Sequence, residues 1–253
     1  DDVKARLDIV QVVSESVALE TRSRTPKALC PFHAERTPSF VVFPDTGTWR
    51  CFGACATGGD ALAFIMRRDG IEFAEALRQT ADGLGIERAA LVGQSMGGRS
   101  VLGFAAAYPE RVDALVLSGT TGGYRDADLD AVRAAAPDLG PRSAFAQAYA
   151  ERDPEGAFLY RMVSRTNRYF TTADSDTAPP DTPVPDIGRI VDAGVRTLFL
   201  VGERDTVAPP AVTKALQAKM TGSELVTFET SGHSPYWEVP DEFNRVVLDF
   251  LRG

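Results

Sequence analysis

Four residues in a short span have the types and spacing of a metal site. Cys30 and His33 are separated by two residues, Cys51 and Cys55 by three, and 17 residues lie between the pairs. Zinc favours four nitrogen and sulfur ligands in a tetrahedron, and a Cys3His set fits a closed structural site. Free cysteines packed as small hydrophobes are the alternative. However, all three cysteines of the chain and one of its two histidines fall inside this pattern. An odd cluster of cysteines beside a histidine reads better as metal ligation in a reducing compartment than as a disulfide framework. The cytoplasm is the expected location.

A second group of residues suits nucleophilic chemistry. Leu91-Val-Gly-Gln-Ser95-Met-Gly-Gly98 places a serine between a short apolar run and a helical stretch. A G-x-S-x-G turn in that setting is tight and strained, needs small flanking residues, and lifts the serine hydroxyl above the sheet. The amide of Met96 then lies where it can donate to an oxyanion, at a helix start that favours negative charge. His233, in Ser231-Gly-His-Ser-Pro235, is the one histidine left to act as base. Asp205, in Gly202-Glu-Arg-Asp-Thr206, can orient it. Each follows an apolar run that reads as a strand, and the order Ser, Asp, His is that of one known triad arrangement. A surface aspartate and a loop histidine are the bland alternative.

These groups need elements to position them. Val3, Leu7, Val10 and Val13 have helical spacing within residues 1–19. Residues 37–44 read as a strand with Gly47–Cys51 as its hairpin partner, followed by helices over 60–68 and 72–82. From Arg88 onward, strands over 89–92, 112–117, 195–201 and 225–228 alternate with helices over 99–108, 210–220 and 240–251. That alternation implies a parallel sheet. Residues 121–188 form a helical and proline-rich insert, with helices near 128–135 and 142–150. The expected fold class is therefore α/β: a small zinc-ribbon-like α+β module over 1–83, then a parallel-sheet domain over 84–253 with a helical insert.

The totals limit the partners. The chain has 253 residues, 44% apolar, and a formal charge of −8. Residues 1–83 hold 10 Lys and Arg against 12 Asp and Glu, and the remainder 17 against 23. An acidic chain is a poor general binder of DNA, so any such contact must be local and weak. No apolar run approaches the ~20 residues that span a bilayer, and no secretory leader is expected at the start shown. No membrane partner is expected.

Leu29-Cys-Pro-Phe-His33, Thr37-Pro-Ser-Phe40, Trp49-Arg-Cys-Phe-Gly53 and Gly58-Gly-Asp60 resemble the zinc-binding domain of bacterial DNA primase, as do Val3–Val10 and Phe73–Leu77. The resemblance covers residues 1 to about 83. It implies structural zinc on Cys30, His33, Cys51 and Cys55 and contact with single-stranded DNA. Arg22, Arg24, Lys27, Arg36 and Arg50 are candidate phosphate partners, with Phe40 and Trp49 as candidate stacking faces. Alternatively Phe40 belongs to the core and the arginines to a solvated face. The family's usual spacing between the second ligand pair is one residue shorter, so Ala54 must be absorbed. Nothing after Gly83 looks like a primer-synthesising domain.

Residues 84–253 resemble the second half of an α/β-hydrolase, the group that includes esterases, lactonases and carbon–carbon bond hydrolases. This implies a small ester-like substrate, catalysis by Ser95, His233 and Asp205, and a cap over 121–188. The family's first strands, and the loop that gives the second oxyanion amide, have no counterpart here. Ester hydrolysis is thus expected to be weak. Ala89–Val92 is expected to become an unprotected edge strand, which invites a homodimer or aggregation. Three readings follow: a serine hydrolase with a zinc domain, a zinc-dependent module for single-stranded DNA, or a fusion with neither activity intact.

Overall fold

The computed structural model describes residues 6–21, 23–166 and 183–253. Val3 and Arg22 lie outside the described residues. The chain packs as two compact units, Asp1–Glu87 and Arg88–Gly253. No helix among the described residues is long and apolar enough to cross a membrane.

Among the described residues, the first helix of the first unit is α1, Ile9–Ser14. Asp8 starts it by accepting from the amides of Val10 (2.8 Å) and Gln11 (3.4 Å). The apolar spacing around this helix runs on in both directions; among the described residues Ile9–Ser14 are helical, with the Asp8 carboxylate satisfying the helix-start amides. Four short antiparallel strands follow in sequence order: β1 Lys27–Ala28, β2 Phe40–Phe43, β3 Thr48–Cys51 and β4 Gly58–Asp60. Phe40 pairs with Cys51 and Val42 with Trp49. Because side chains alternate across a strand, these residues share one face, and all four are buried. Helices α2, Ala61–Asp69, and α3, Phe73–Gly83, complete the unit. Asp60 caps α2 through the amide of Ala63 at 2.9 Å. Its carbonyl accepts from the Trp49 indole at 3.1 Å. Phe32, Phe40, Trp49 and Phe64 form one aromatic cluster, with ring centroids 5.0 to 6.3 Å apart. Beyond α3, Leu84, Gly85 and Ile86 donate back to carbonyls at its end.

The second unit holds four parallel strands in sequence order: β5 Ala89–Gln94, β6 Val112–Ser118, β7 Arg196–Gly202 and β8 Glu224–Phe228. Helix α4, Gly97–Ala107, packs on β5 and β6. Between β6 and β7 lies the insert, with α5 Ala127–Ala135, α6 Gln147–Arg152, α7 Pro154–Thr166 and α8 Ile187–Asp192. The helix expected near 142–150 starts at Gln147 instead. The preceding stretch is held extended by Ser143 and Ala146, whose amides donate to Thr206 Oγ1 (2.8 Å) and Glu238 (2.9 Å). The chain then adds α9 Pro210–Lys219, α10 Pro235–Glu238 and α11 Pro240–Arg252.

The sheet is not equally covered. Ala114, Val116, Leu198 and Leu200 pack with Phe228 against Phe243, Val247 and Phe250 of α11. In register, Ala90 lies beside Ala114 and Val92 beside Val116. Ala90 and Val92 are exposed, Val92 at 47%. Thus α11 covers the face of β6 to β8 and leaves that face of β5 open. The insert is fastened separately. Lys219 of α9 pairs with Asp126 (2.9 Å) and Asp128 (2.7 Å), and Asp126 also caps α5 through the Leu129 amide. That amide bond and the Lys219 ammonium hold the Asp126 carboxyl down at about 2. A depressed carboxyl stabilises the fold above the ordinary carboxylate range. That contribution is lost only as pH falls toward about 2, so α5 stays clamped near neutrality.

Candidate functional site

In a parallel sheet the carboxyl ends of all strands lie along one edge. Ser95 follows β5, Asp205 follows β7 and His233 follows β8, so residues up to 138 apart in sequence meet there. His233 Nε2 lies 2.7 Å from Ser95 Oγ, and Nδ1 lies 2.8 Å from Asp205 Oδ2. An ionised carboxylate only accepts, so the proton of a neutral imidazole sits on Nδ1. Nε2 is then left with a lone pair facing the serine hydroxyl. Asp205 is fully buried, and its Oδ1 accepts from the amides of Val207 (2.7 Å) and Ala208 (2.8 Å). Both carboxylate oxygens are therefore fixed, and the ring they orient is 8% exposed.

Ser95 has φ = 50°, one of two described residues other than glycine in the left-handed region. Such backbone costs on the order of 1–3 kcal/mol and persists only where its surroundings enforce it. Here the Ser95 amide donates to Ser118 O at 2.9 Å and the Gly98 amide to Ser95 O at 2.9 Å. The expectation that both glycines flanking the turn are sterically required is half right. A Cβ on Gly93 would strike Val101 and Gly98, whereas a Cβ on Gly97 would meet nothing within 4 Å. The crowded position is Gly98, which packs directly on Thr120. Its role depends on a residue 22 positions away in sequence, which the local motif does not reveal. Met96, the expected oxyanion donor, begins the turn into α4 with its side chain half exposed.

Glu238 belongs to no short sequence motif. It is buried, and its carboxylate accepts from the amides of Gly232, Ser234 and Ala146 and from Ser231 Oγ, over 2.9 to 3.2 Å. It therefore fixes the loop that carries His233. Gln94 adds a bond from Nε2 to the His233 carbonyl at 2.7 Å.

In the first unit, the donor atoms of Cys30, His33, Cys51 and Cys55 all lie within 4.8 Å of one another. Cys30 Sγ is 3.7 Å from Cys55 Sγ, and Cys51 Sγ is 3.9 Å from His33 Nδ1. Tetrahedral zinc with thiolates at ~2.3 Å sets its ligands about 3.8 Å apart, so the donor set fits that ion. His33 Nε2 lies 3.0 Å from Glu35 Oε2, leaving Nδ1 on the cluster side. A carboxylate behind a ligating imidazole fixes its ring and raises its basicity. Glu35 also accepts from Ser39 Oγ and from the amides of Cys30 and Ser39. These bonds, that from Ser39 Oγ first, hold its carboxyl below the usual range. The extra residue between Cys51 and Cys55 is taken up by a turn, closed by Ala56 N donating to Gly53 O, with Ala56 at φ = 47°. Burial pushes the Cys30 thiol up to about 12. At Cys55, desolvation is outweighed by hydrogen bonds from Thr57 and the neighbouring thiols, which draw it down to about 7. A dication that displaces the thiol protons resolves this crowding.

The nucleic-acid candidates separate. Trp49 is 2% exposed and Phe40 0%. The expectation of Trp49 as a stacking face is corrected here, because alternation along β3 turns it inward with Cys51. The outward face carries Lys27, Val41 and Arg50 in register across β1, β2 and β3. Phe43 and Phe52 pack edge to face at 6.5 Å, and Phe52 is 65% exposed. Arg36 is exposed, and Arg24 pairs with Asp45 at 2.9 Å. Leu29 is exposed as well.

Residues 1–95 match the family model described as CHC2 zinc finger, residues 68–184 that of the alpha/beta hydrolase fold, and residues 165–253 that of TAP-like protein. The DNA primase of Pseudomonas putida is 47% identical over 87 residues, 34% of this chain and 13% of that protein. The DNA primase of Listeria monocytogenes is 42% identical over 82 residues, 32% and 13% of the two chains. An alpha/beta hydrolase enzyme from a Medee basin deep-sea metagenome library superposes with a TM-score of 0.54 at 21% identity, over 71% of this chain and 70% of that one. A meta-cleavage product hydrolase from Pseudomonas fluorescens gives 0.53 at 26% identity, with the same coverage. The chain thus spans about one-eighth of the primases it matches. It joins a primase-type zinc ribbon to an α/β-hydrolase-fold domain.

The glycine geometry makes a prediction. Gly98→Ala should lower stability by about 1–3 kcal/mol through overpacking against Thr120, while Gly97→Ala should be neutral or slightly stabilising. Urea denaturation of the two variants checks this, and equal effects would remove the assigned role of Gly98.

Proposed function

We propose that this chain, a primase-type zinc ribbon followed by an α/β-hydrolase-fold domain, is a serine hydrolase of ester, lactone or related carbonyl substrates. The observation that carries this reading is the relay from Asp205 through His233 to Ser95, with both links under 3 Å. In the reaction, Ser95 Oγ attacks the carbonyl carbon and its proton passes to His233 Nε2. The Met96 amide, at the start of α4, faces the developing oxyanion. As the tetrahedral species collapses, the imidazolium gives its proton to the departing alkoxide. Water then attacks the acyl-enzyme with Nε2 again as base, releasing the acid and restoring Ser95. Asp205 fixes the ring and stabilises the imidazolium.

Turnover is proposed to be low. Among the described residues no strand precedes β5 in its sheet, so no loop from such a strand supplies a second oxyanion amide. Loss of one donor typically costs a factor of ~100 to 1,000. Hydrolysis of a p-nitrophenyl ester should be slow, absent in Ser95→Ala, and weaker in acid, because a protonated imidazole cannot accept the serine proton. Equal rates for Ser95→Ala and the parent chain would reject the assignment.

The zinc ribbon supports a second reading. The donor distances above fit zinc on Cys30, His33, Cys51 and Cys55. The outward face with exposed Lys27 and exposed Phe52 offers a charge and a stacking ring to single-stranded DNA. Fluorescence anisotropy with a labelled oligothymidine should show weak, salt-sensitive binding that is lost on removal of zinc and reduced in Phe52→Ala. Binding that survives both changes would exclude this face.

We also propose that two copies pair through β5. Among the described residues its outer edge has no strand neighbour, and the sequence Ala89-Ala-Leu-Val92 has no charge or proline to guard it. Light scattering after size exclusion should give twice the chain mass, and Val92→Lys should return it to the monomer. A monodisperse monomer for the parent chain would refute the pairing.

A further inference from the structure

The relay from Asp205 to Ser95 leaves one buried charge beside it unused. Glu238 is 4% exposed, and among the described residues no cation pairs with its carboxylate. Three donors converge on Oε1: Ser231 Oγ at 3.1 Å, Gly232 N at 2.9 Å and Ser234 N at 3.2 Å. The last two are amides one residue before and one after His233, so the charge is tied to the backbone on both sides of the base. Oε2 accepts from the amide of Ala146, in the insert, at 2.9 Å. Two further bonds fasten the insert to the same loop, from Trp237 Nε1 to Gly156 O at 3.3 Å and from Arg152 Nη2 to Glu238 O at 3.0 Å.

Burying a carboxylate is costly even when hydrogen bonds compensate it. Holding the loop does not require that charge, because a glutamine Oε1 could accept the same three bonds. Glutamine could not also accept from Ala146, since its nitrogen only donates. Nor could it favour a cation. His233 becomes one when Ser95 Oγ gives its proton to Nε2, and a fixed negative charge nearby favours that form.

We propose that Glu238 is a positioning residue of the relay: a second buried carboxylate that seats the insert on the His233 loop and favours the imidazolium formed as Ser95 attacks. This rests on the serine hydrolase reading and adds a residue to its machinery. No proton moves to Glu238. The other titratable or charged groups around His233 are Asp205 on Nδ1, Tyr160 and Tyr236 beyond Ser234, Arg152 on the Glu238 carbonyl, and Arg99, Arg125, Arg133 and Arg142 in the cavity at Ser95. Burial pushes the Tyr236 phenol up to about 12, and guanidinium keeps its charge throughout. Glu238→Gln therefore changes one charge in a setting that is otherwise constant.

The test follows His233 directly. The chain has two histidines, so the imidazole nitrogen resonances of the 15N-labelled full chain can be titrated and assigned. Loss of a stabilising negative charge lowers the pKa of a base, so in Glu238→Gln that of His233 should fall by roughly one unit. The acid limb of p-nitrophenyl ester hydrolysis should move to lower pH by the same amount. One unit is a tenfold loss of preference for the imidazolium, so kcat should drop by up to about tenfold with KM little changed. Glu238→Asp keeps the charge, and its His233 should titrate close to that of the parent chain. A measurement on the parent chain alone covers the case in which the variants do not fold: the Glu238 carboxyl 13C resonance should shift as His233 titrates. A carboxyl resonance that ignores His233 overturns the proposal. So does a folded Glu238→Gln whose His233 titrates as in the parent, with activity reduced only in step with the fraction of Ser95 labelled by a fluorophosphonate. A Glu238→Asp that titrates like Glu238→Gln overturns the role of the charge. Absence of Ser95-dependent turnover in the parent chain overturns the hydrolase reading, and this inference with it, whatever the titration gives.

Discussion

Parallel alignment of β5 to β8 is the constraint on which the second unit depends. Each strand runs from the same end of the sheet, so every loop that carries a reactive group emerges on the same side. The sequence separations are then irrelevant to the chemistry. Ser95, Asp205 and His233 meet because β5, β7 and β8 all finish there. A strand reversed in direction would carry its residue to the far end of the sheet, about one strand length away. Even the strain at Ser95 follows from this alignment. The chain must leave β5 and enter α4 at once, and the bond from Ser95 N to Ser118 O ties that turn to the neighbouring strand.

Two carboxylates do similar structural work in the two units. Glu35 gathers amides of Cys30 and Ser39 behind the ligand cluster, and Glu238 gathers amides of Ala146, Gly232 and Ser234 behind His233. In both cases a single charge satisfies backbone donors in irregular chain, where no ladder or helix can. Hydrogen bonds to a carboxylate are stronger than those between neutral groups. A loop with few apolar contacts can thus be held in one conformation. Neither residue belongs to a short motif, because its partners are defined only after folding.

The sequence discloses residues whose meaning is local, and hides those whose meaning is not. The alternation of strands and helices after Arg88 is visible because apolar runs and breakers are themselves local patterns. The four-ligand cluster and the turn at Ser95 are visible for the same reason. Strand β4 is not, since Gly58-Gly-Asp60 has no strand-forming side chains and pairs with β3 only because the zinc-ribbon chain returns there. Helix α7 begins at a proline, a start signal present in the sequence, yet an insert rich in prolines masks it. Trp49 misleads in the opposite way. An aromatic beside basic residues suggests a stacking face, but the period of two along β3 already assigns it to the side of Cys51.

The join between the two modules explains the uneven sheet. The CHC2 zinc finger and alpha/beta hydrolase matches overlap over residues 68–95, so α3 lies in both matches and leads almost directly into β5. Among the described residues, the strands of the first unit form their own antiparallel sheet, and the parallel one holds β5 to β8. The hydrolase-fold sheet therefore starts at β5. A strand composed of Ala89-Ala-Leu-Val92, with no charge to discourage pairing, suits the interior of a sheet flanked on both sides. Placed at the edge, it keeps its inner bonds to β6 and so still delivers Ser95 to His233, while Ala90 and Val92 stay bare on the side that α11 covers elsewhere. The site geometry and the exposed edge are thus two consequences of one fact: among the described residues, β6 is the one strand that pairs with β5.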